Sequence, residues 1–207
     1  VTDQMLRTPP AGDWLMARRN YQAWSHSPLD EITTANVGSL RLAWVWNMNE
    51  GGSNQQMPLV HDGIVYLTNT MNEVQAIDGA TGELIWANQV GPNRPGGASG
   101  GMRNIAIADD KIYLATSDAK LVALDARTGA LVWTTAIADA AKGFTNTSGP
   151  IVVKGKVIQG LGGCERYQPE RCFISAYDAK TGALAWKFHT VAHAAEPGGD
   201  TWNNLPD

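Results

Sequence analysis

The 207-residue sequence has only two cysteines, no surplus of basic residues and no long hydrophobic run, and each shortage removes a class of function. With 16 Lys and Arg against 20 Asp and Glu, the net charge of −4 offers no broad attraction for nucleic acid or an anionic membrane. The longest apolar runs, such as Ile105 to Ile107 and Ile151 to Val153, are strand-sized and far too short for a membrane-spanning helix. Val1 to Pro10 has neither a basic start nor an apolar stretch, so no secretory signal is expected there. Cys164 and Cys172 do not form Cys-x-x-Cys-His, which excludes c-type haem attachment within this sequence, and no His pair beside them suggests zinc. Gly-x-Ser-x-Gly, Walker A and dinucleotide fingerprints are missing. The glycine-rich stretch Gly96 to Gly101 leads into a strand pattern rather than a helix, so a phosphate cradle is not expected.

What is plentiful is glycine and tryptophan, 22 and 8 residues. They fall into a repeat: Ala76-Ile-Asp-Gly-Ala-Thr-Gly-Glu-Leu-Ile-Trp86, Ala123-Leu-Asp-Ala-Arg-Thr-Gly-Ala-Leu-Val-Trp133 and Ala176-Tyr-Asp-Ala-Lys-Thr-Gly-Ala-Leu-Ala-Trp186. The copies lie 47 and 53 residues apart, and a weaker relative, Asn36 to Trp44, precedes the first Trp by 42. Periods of this size mark solenoids, arrays or propellers. Alternating residues before each Asp read as a strand apolar on one face. The Asp can accept hydrogen bonds from the turn after it, and Gly82, Gly129 and Gly182 suit a position of positive φ. Leu-x-Trp opens the next strand, where the indole can fill the wedge between neighbouring sheets. A second hairpin precedes each copy, making four short strands per repeat and an all-β propeller; an all-β sandwich would leave the in-register Asp, Gly and Trp unexplained. The expected blades are about 57–90, 103–137 and 148–190, after an N-terminal segment 1–46. Three blades do not close a ring, so the sequence reads as the N-terminal part of one propeller domain.

Gly12-Asp-Trp-Leu-Met-Ala-Arg-Arg-Asn20, Ser27-Pro-Leu-Asp30 and Asn36 to Trp44 resemble the opening of the pyrroloquinoline quinone (PQQ) dehydrogenases, and the repeat resembles that family's tryptophan-docking motif. The resemblance covers nearly all of the sequence. It implies an eight-bladed propeller with PQQ and calcium near its axis, in a periplasmic oxidoreductase. The family's Thr-Gly-Ala-Pro, strand pair and Gly-Ala-Glu are matched by Thr147-Ser-Gly-Pro150, the hairpin Ile151 to Ile158, and Gly163-Cys-Glu165. By that match Thr147 binds a PQQ carboxylate, Gly163 and Cys164 line the cofactor's edge, and Glu165 ligates calcium, a hard cation that takes oxygen ligands. A solvated turn carboxylate is the plain alternative for Glu165. Arg103 matches an arginine that donates to the cofactor, as a planar guanidinium can; the alternative is a surface arginine at a strand start. Gln55, three residues before Pro58, aligns with a glutamate that touches the cofactor in many members. The sequence departs from the alcohol dehydrogenases at Gly97 and Ala98, where many carry vicinal cysteines, and at Leu161, where many have Asn or Ser.

The resemblance further implies an alcohol, sugar or polyol substrate, hydride transfer to the quinone, and a cytochrome or quinone as electron acceptor. The catalytic Asp is expected in a later blade, so no catalytic residue is assigned here. In an exported protein Cys164 and Cys172 are expected to form a disulfide, two buried thiols being the alternative. His26, His61, His189 and His193 read as surface or capping residues. The rival function is a cofactor-free propeller serving as a periplasmic protein-interaction scaffold, because the repeat also occurs in such proteins.

Overall fold

The computed structural model describes residues 1–48, 55–93, 102–164 and 171–202. Within them the chain builds three four-stranded antiparallel sheets, each a meander of consecutive strands. The first holds β1 (Leu59–His61), β2 (Ile64–Thr68), β3 (Glu73–Asp78) and β4 (Leu84–Gln89). The second holds β5 (Ala106–Ala108), β6 (Lys111–Ala115), β7 (Lys120–Asp125) and β8 (Leu131–Ala136). The third holds β9 (Ile151–Val153), β10 (Lys156–Gln159), β11 (Phe173–Asp178) and β12 (Leu184–His189).

Each repeat occupies the turn between third and fourth strands. Asp78 Oδ1 accepts from the amides of Ala80 and Thr81 at 2.9 and 2.8 Å, and Asp125 and Asp178 repeat the arrangement. The pairing slips at one place in every sheet, with Ala76 opposite Trp86 and Ile77 opposite Leu84. The middle residue of Leu-x-Trp is therefore a β-bulge, a device that increases local twist. Gly82, Gly129 and Gly182 have φ of +76°, +72° and +71°. A Cβ on them would lie 2.6, 2.5 and 2.7 Å from the rings of Trp44, Trp86 and Trp133. Each indole thus rests on the glycine of the next sheet and donates Nε1–H to a carbonyl there: Trp44 to Gly79, Trp86 to Ala126 and Trp133 to Ala179, at 3.0, 3.0 and 3.1 Å.

This stacking changes one expectation. The third strands are not apolar on one face only: Val74 to Ile77, Leu121 to Leu124 and Ser175 to Tyr177 are buried on both faces. A sheet flanked by a neighbour on each side has no solvent face at its centre. The outermost strands carry the exposure instead, much of it apolar.

The N-terminal segment laces the three sheets together. A short helix, α1 (Asp3–Arg7), is capped by Thr2, whose Oγ1 accepts from Met5 N at 3.2 Å, and buries Leu6. Trp14 exchanges two backbone hydrogen bonds with Val60 of β1, and the Tyr21 hydroxyl donates to Val152 O of β9 at 2.5 Å. Asp13, buried, accepts from Asp62 N and pairs with His61 Nδ1 at 2.8 Å, so the partly exposed His61 anchors the N-terminal segment to the first sheet. Residues 40–48 join no strand among the described residues. They nevertheless turn Trp44 and Trp46 onto the first sheet and leave Val45 between them exposed, the alternation of an outer strand, with Leu42 exposed as well. At the other end, β12 leaves Leu184, Trp186 and Phe188 exposed.

Candidate functional site

Three of the expected site residues occupy equivalent places, in the loops leading into the first strands of successive sheets. Gln55 lies four residues before β1, Arg103 three before β5 and Thr147 four before β9. Backbone hydrogen bonds tie these loops in series: Met57 N donates to Arg103 O, and Arg103 N to Thr147 O, both at 3.0 Å. Gly149 N donates to Asn104 Oδ1 at 3.1 Å, and a Cβ on Gly149 would overlap Asn104 O, so the second and third loops touch backbone to backbone. On this belt Arg103 Nη1 donates to the Thr147 hydroxyl at 2.7 Å. Gln55 is exposed, two residues from Met57.

The same edge carries the one connection in which the third sheet departs from the others. The links between second and third strands are four residues in the first two sheets, 69–72 and 116–119, but thirteen in the third, 160–172. Because β9 runs antiparallel to β10, the start of this long loop lies beside the Thr147 loop. Thr145 and Gly162 exchange backbone hydrogen bonds at 3.1 and 2.9 Å. Gly163 is buried with φ +98°, and a Cβ there would stand 2.2 Å from Gly143 O, so only glycine lets the two segments meet. Cys164 follows and pairs with Cys172 in a disulfide, their Cα atoms 5.4 Å apart. Leu161 packs against the hydrophobic core rather than standing in for a polar side chain at the edge.

The far end of the loop is gripped by Arg171, whose guanidinium donates to Val191 O and to both oxygens of Glu196. Those hydrogen bonds, joined by one from His193 N, hold the Glu196 carboxyl down to about 2. Glu165, expected as a calcium ligand, lies outside the described residues, as do Gly97 and Ala98. Among the described residues no three of His, Cys, Asp and Glu converge as a metal group.

Sequence reasoning missed the polar scaffold beneath this edge. Asn72, fully buried, donates to Ser117 Oγ and accepts from Ser117 N; Ser117 O accepts from Thr145 Oγ1, and Thr116 O from Asn146 Nδ2. The chain of bonds runs from the first sheet to the third. The signal was the matching placement of Asn69 to Asn72 and Thr116 to Ala119, polar links at the same step of the repeat.

Chemically, the edge presents a guanidinium and a hydroxyl side by side at an exposed position, with only the one hydrogen bond on the Arg103 side chain among the described residues. That leaves N–H donors in a planar fork, the donor set that suits a carboxylate-bearing planar ligand. PQQ is such a ligand, and Gly163 adds backbone without a side chain.

Known proteins resemble this chain over most of its length. A family model described as "PQQ: Glucose/ethanol/alcohol dehydrogenase, beta-propeller domain" matches residues 14–205. The quinohemoprotein alcohol dehydrogenase ADH IIB of Pseudomonas putida is 41% identical over 186 residues, covering 87% of this chain and 26% of that protein. The dehydrogenase subunit of the quinone alcohol dehydrogenase of Gluconobacter oxydans is 41% identical over 192 residues, covering 87% and 25%. The solved structure of quinohemoprotein alcohol dehydrogenase ADHIIG from Pseudomonas putida HK5 superposes with a TM-score of 0.76 at 34% identity, covering 88% of this chain and 27% of that one. The chain thus spans about a quarter of the length of these relatives. With its three-sheet arc, its indole seats and this match, the chain belongs to the PQQ glucose/ethanol/alcohol dehydrogenase family of β-propellers.

Proposed function

We propose that this chain is part of a PQQ- and calcium-dependent periplasmic oxidoreductase that oxidises an alcohol, a sugar or a polyol by hydride transfer to the quinone. The names of the similar proteins favour an alcohol among these substrates. The observation that carries the reading is the Arg103–Thr147 hydrogen bond, which sets a cation and a hydroxyl together on the loop edge of two adjoining sheets.

In this reading Arg103 directs its remaining N–H groups at a carboxylate or quinone oxygen. Thr147 adds a hydroxyl to a carboxylate. Gly163 and Cys164 form a low wall, and Gln55 offers an amide from the first sheet. Glu165 holds calcium through its carboxylate. PQQ, when bound, supplies a quinone that accepts hydride from the substrate carbon, with calcium as the Lewis acid. The base that takes the hydroxyl proton belongs to a later blade, and electrons leave to a cytochrome or a quinone.

The test is titration of PQQ into the purified full-length protein with excess calcium, followed by cofactor absorbance. Binding by the wild type and a Kd about 10- to 150-fold higher in Arg103→Met is expected, from the roughly 1.5–3 kcal/mol of a charge-assisted hydrogen bond. Absence of calcium-dependent PQQ binding by the wild type overturns the reading.

A further inference from the structure

Strand β10 ends at Gln159, only 2% exposed, where the chain leaves the sheet for the long 160–172 loop. Its Nε2 lies 2.9 Å from Gly160 O, 3.2 Å from Ser148 O, 3.4 Å from Asn146 Oδ1 and 3.5 Å from Ser148 Oγ. Two N–H groups therefore reach acceptors on both sides of Thr147 and at the start of the loop that bears Gly163 and Cys164. Its Oε1, by contrast, is buried without a donor among the described residues.

Register shows that this amide is peculiar to the third sheet. Gln159 pairs with Ser175 of β11; the corresponding positions are Leu67, opposite Gln75, and Leu114, opposite Val122. Leucine fills that place where the following link has four residues, and glutamine fills it where the link has thirteen. A buried acceptor without a donor costs free energy that leucine would not incur. What the amide contributes in return is its pair of donors, which add side-chain bonds on both sides of Thr147 to the backbone pair of Thr145 and Gly162 that already joins the two loops.

We propose that Gln159 is a positioning residue of the cofactor edge: its carboxamide holds the Thr147 loop and the Gly160–Cys164 loop at one fixed separation. The inference rests on the PQQ reading of the site. It assigns Gln159 no contact with the cofactor; it acts through Thr147 and Gly163.

The test uses the full-length protein with PQQ and excess calcium, comparing wild type, Gln159→Leu and a control, Leu114→Ala, at the same register of the second sheet. Gln159→Leu is expected to raise the PQQ Kd at least 10-fold and to shift the absorbance band of the bound cofactor. Leu114→Ala is expected to lower the melting temperature while leaving Kd and band in place. If Gln159→Leu is not recovered folded, Gln159→Met, which keeps length and removes the donors, is expected to show the same shift. Wild-type affinity and band in the folded Gln159 variant overturn the inference alone. Equal changes in Leu114→Ala overturn it too, since general loosening would then explain them. A wild type that fails to bind PQQ overturns the functional reading and this inference together.

Discussion

The indole of Trp133 rests on Gly182 of the next sheet so closely that a Cβ there would lie 2.7 Å from the ring. The same seat joins Trp86 to Gly129 and Trp44 to Gly82. Gly182→Ala adds a left-handed backbone penalty to displacement of the ring, and a loss of about 2–4 kcal/mol is expected in the full-length protein. Chemical denaturation measures it. A loss below the roughly 1 kcal/mol of the backbone term alone would show that the seat can yield.

Glu165→Gln should weaken calcium-dependent PQQ retention and leave the melting of the cofactor-free protein unchanged, because one anionic oxygen is removed from a hard-cation site. Calcium titration with PQQ absorbance as readout decides the matter. Unaltered calcium and cofactor affinity would remove Glu165 from the site.

The Cys164–Cys172 disulfide closes a loop of eight residues' separation. Loop entropy makes it worth about 2.5 kcal/mol, an amount Cys172→Ser should lose in denaturation midpoints. Mass spectrometry of unreduced protein should recover the linked peptides, and two freely alkylated thiols in protein from an oxidising compartment would contradict the pairing.

Glu196 titrates near 2 in the folded chain, against 4.5 for an ordinary glutamate, because Arg171 and the His193 amide favour its charged form. A depressed carboxyl stabilises the fold fully above its unfolded pKa and loses that contribution as pH falls through the folded value. The window is therefore pH 4.5 down to about 2. Glu196→Gln should flatten stability against pH across it, in melting curves of the full-length protein; an unchanged slope would mean the Arg171 grip is not thermodynamically coupled to the loop.

Residues 1–207 produced alone are expected to associate or melt without cooperativity. The outer strand β12 exposes Leu184, Trp186 and Phe188, and residues 40–48 expose Leu42 and Val45. Supplying the remaining blades, covalently or as a separate chain, should restore a soluble ring. A monomeric, sharply melting domain in size-exclusion chromatography and calorimetry would count against the propeller-arc account.

Much of the fold was legible because its determinants are short-range. Asp125 meets amides two and three residues on, Gly129 takes its positive φ, and Trp133 follows four residues later, so each blade's signature fits inside eleven residues and recurs in register. The third strands misled in one respect. The expectation of one apolar face overlooked that Leu121 to Leu124, between Lys120 and Asp125, is apolar throughout, and the sheets stacked on either side bury it on both faces.

By itself the sequence determined the blade count of this segment, the Asp-Gly turns and the residues that face the next sheet, because these depend on backbone conformation and spacing within one repeat. Only the tertiary structure decided that Arg103 meets Thr147 across 44 residues, that His61 is held by Asp13 and that Gln159 lies between two loops. Those contacts depend on how one sheet is set against the next, a relation of angle and distance between repeats that no single repeat encodes.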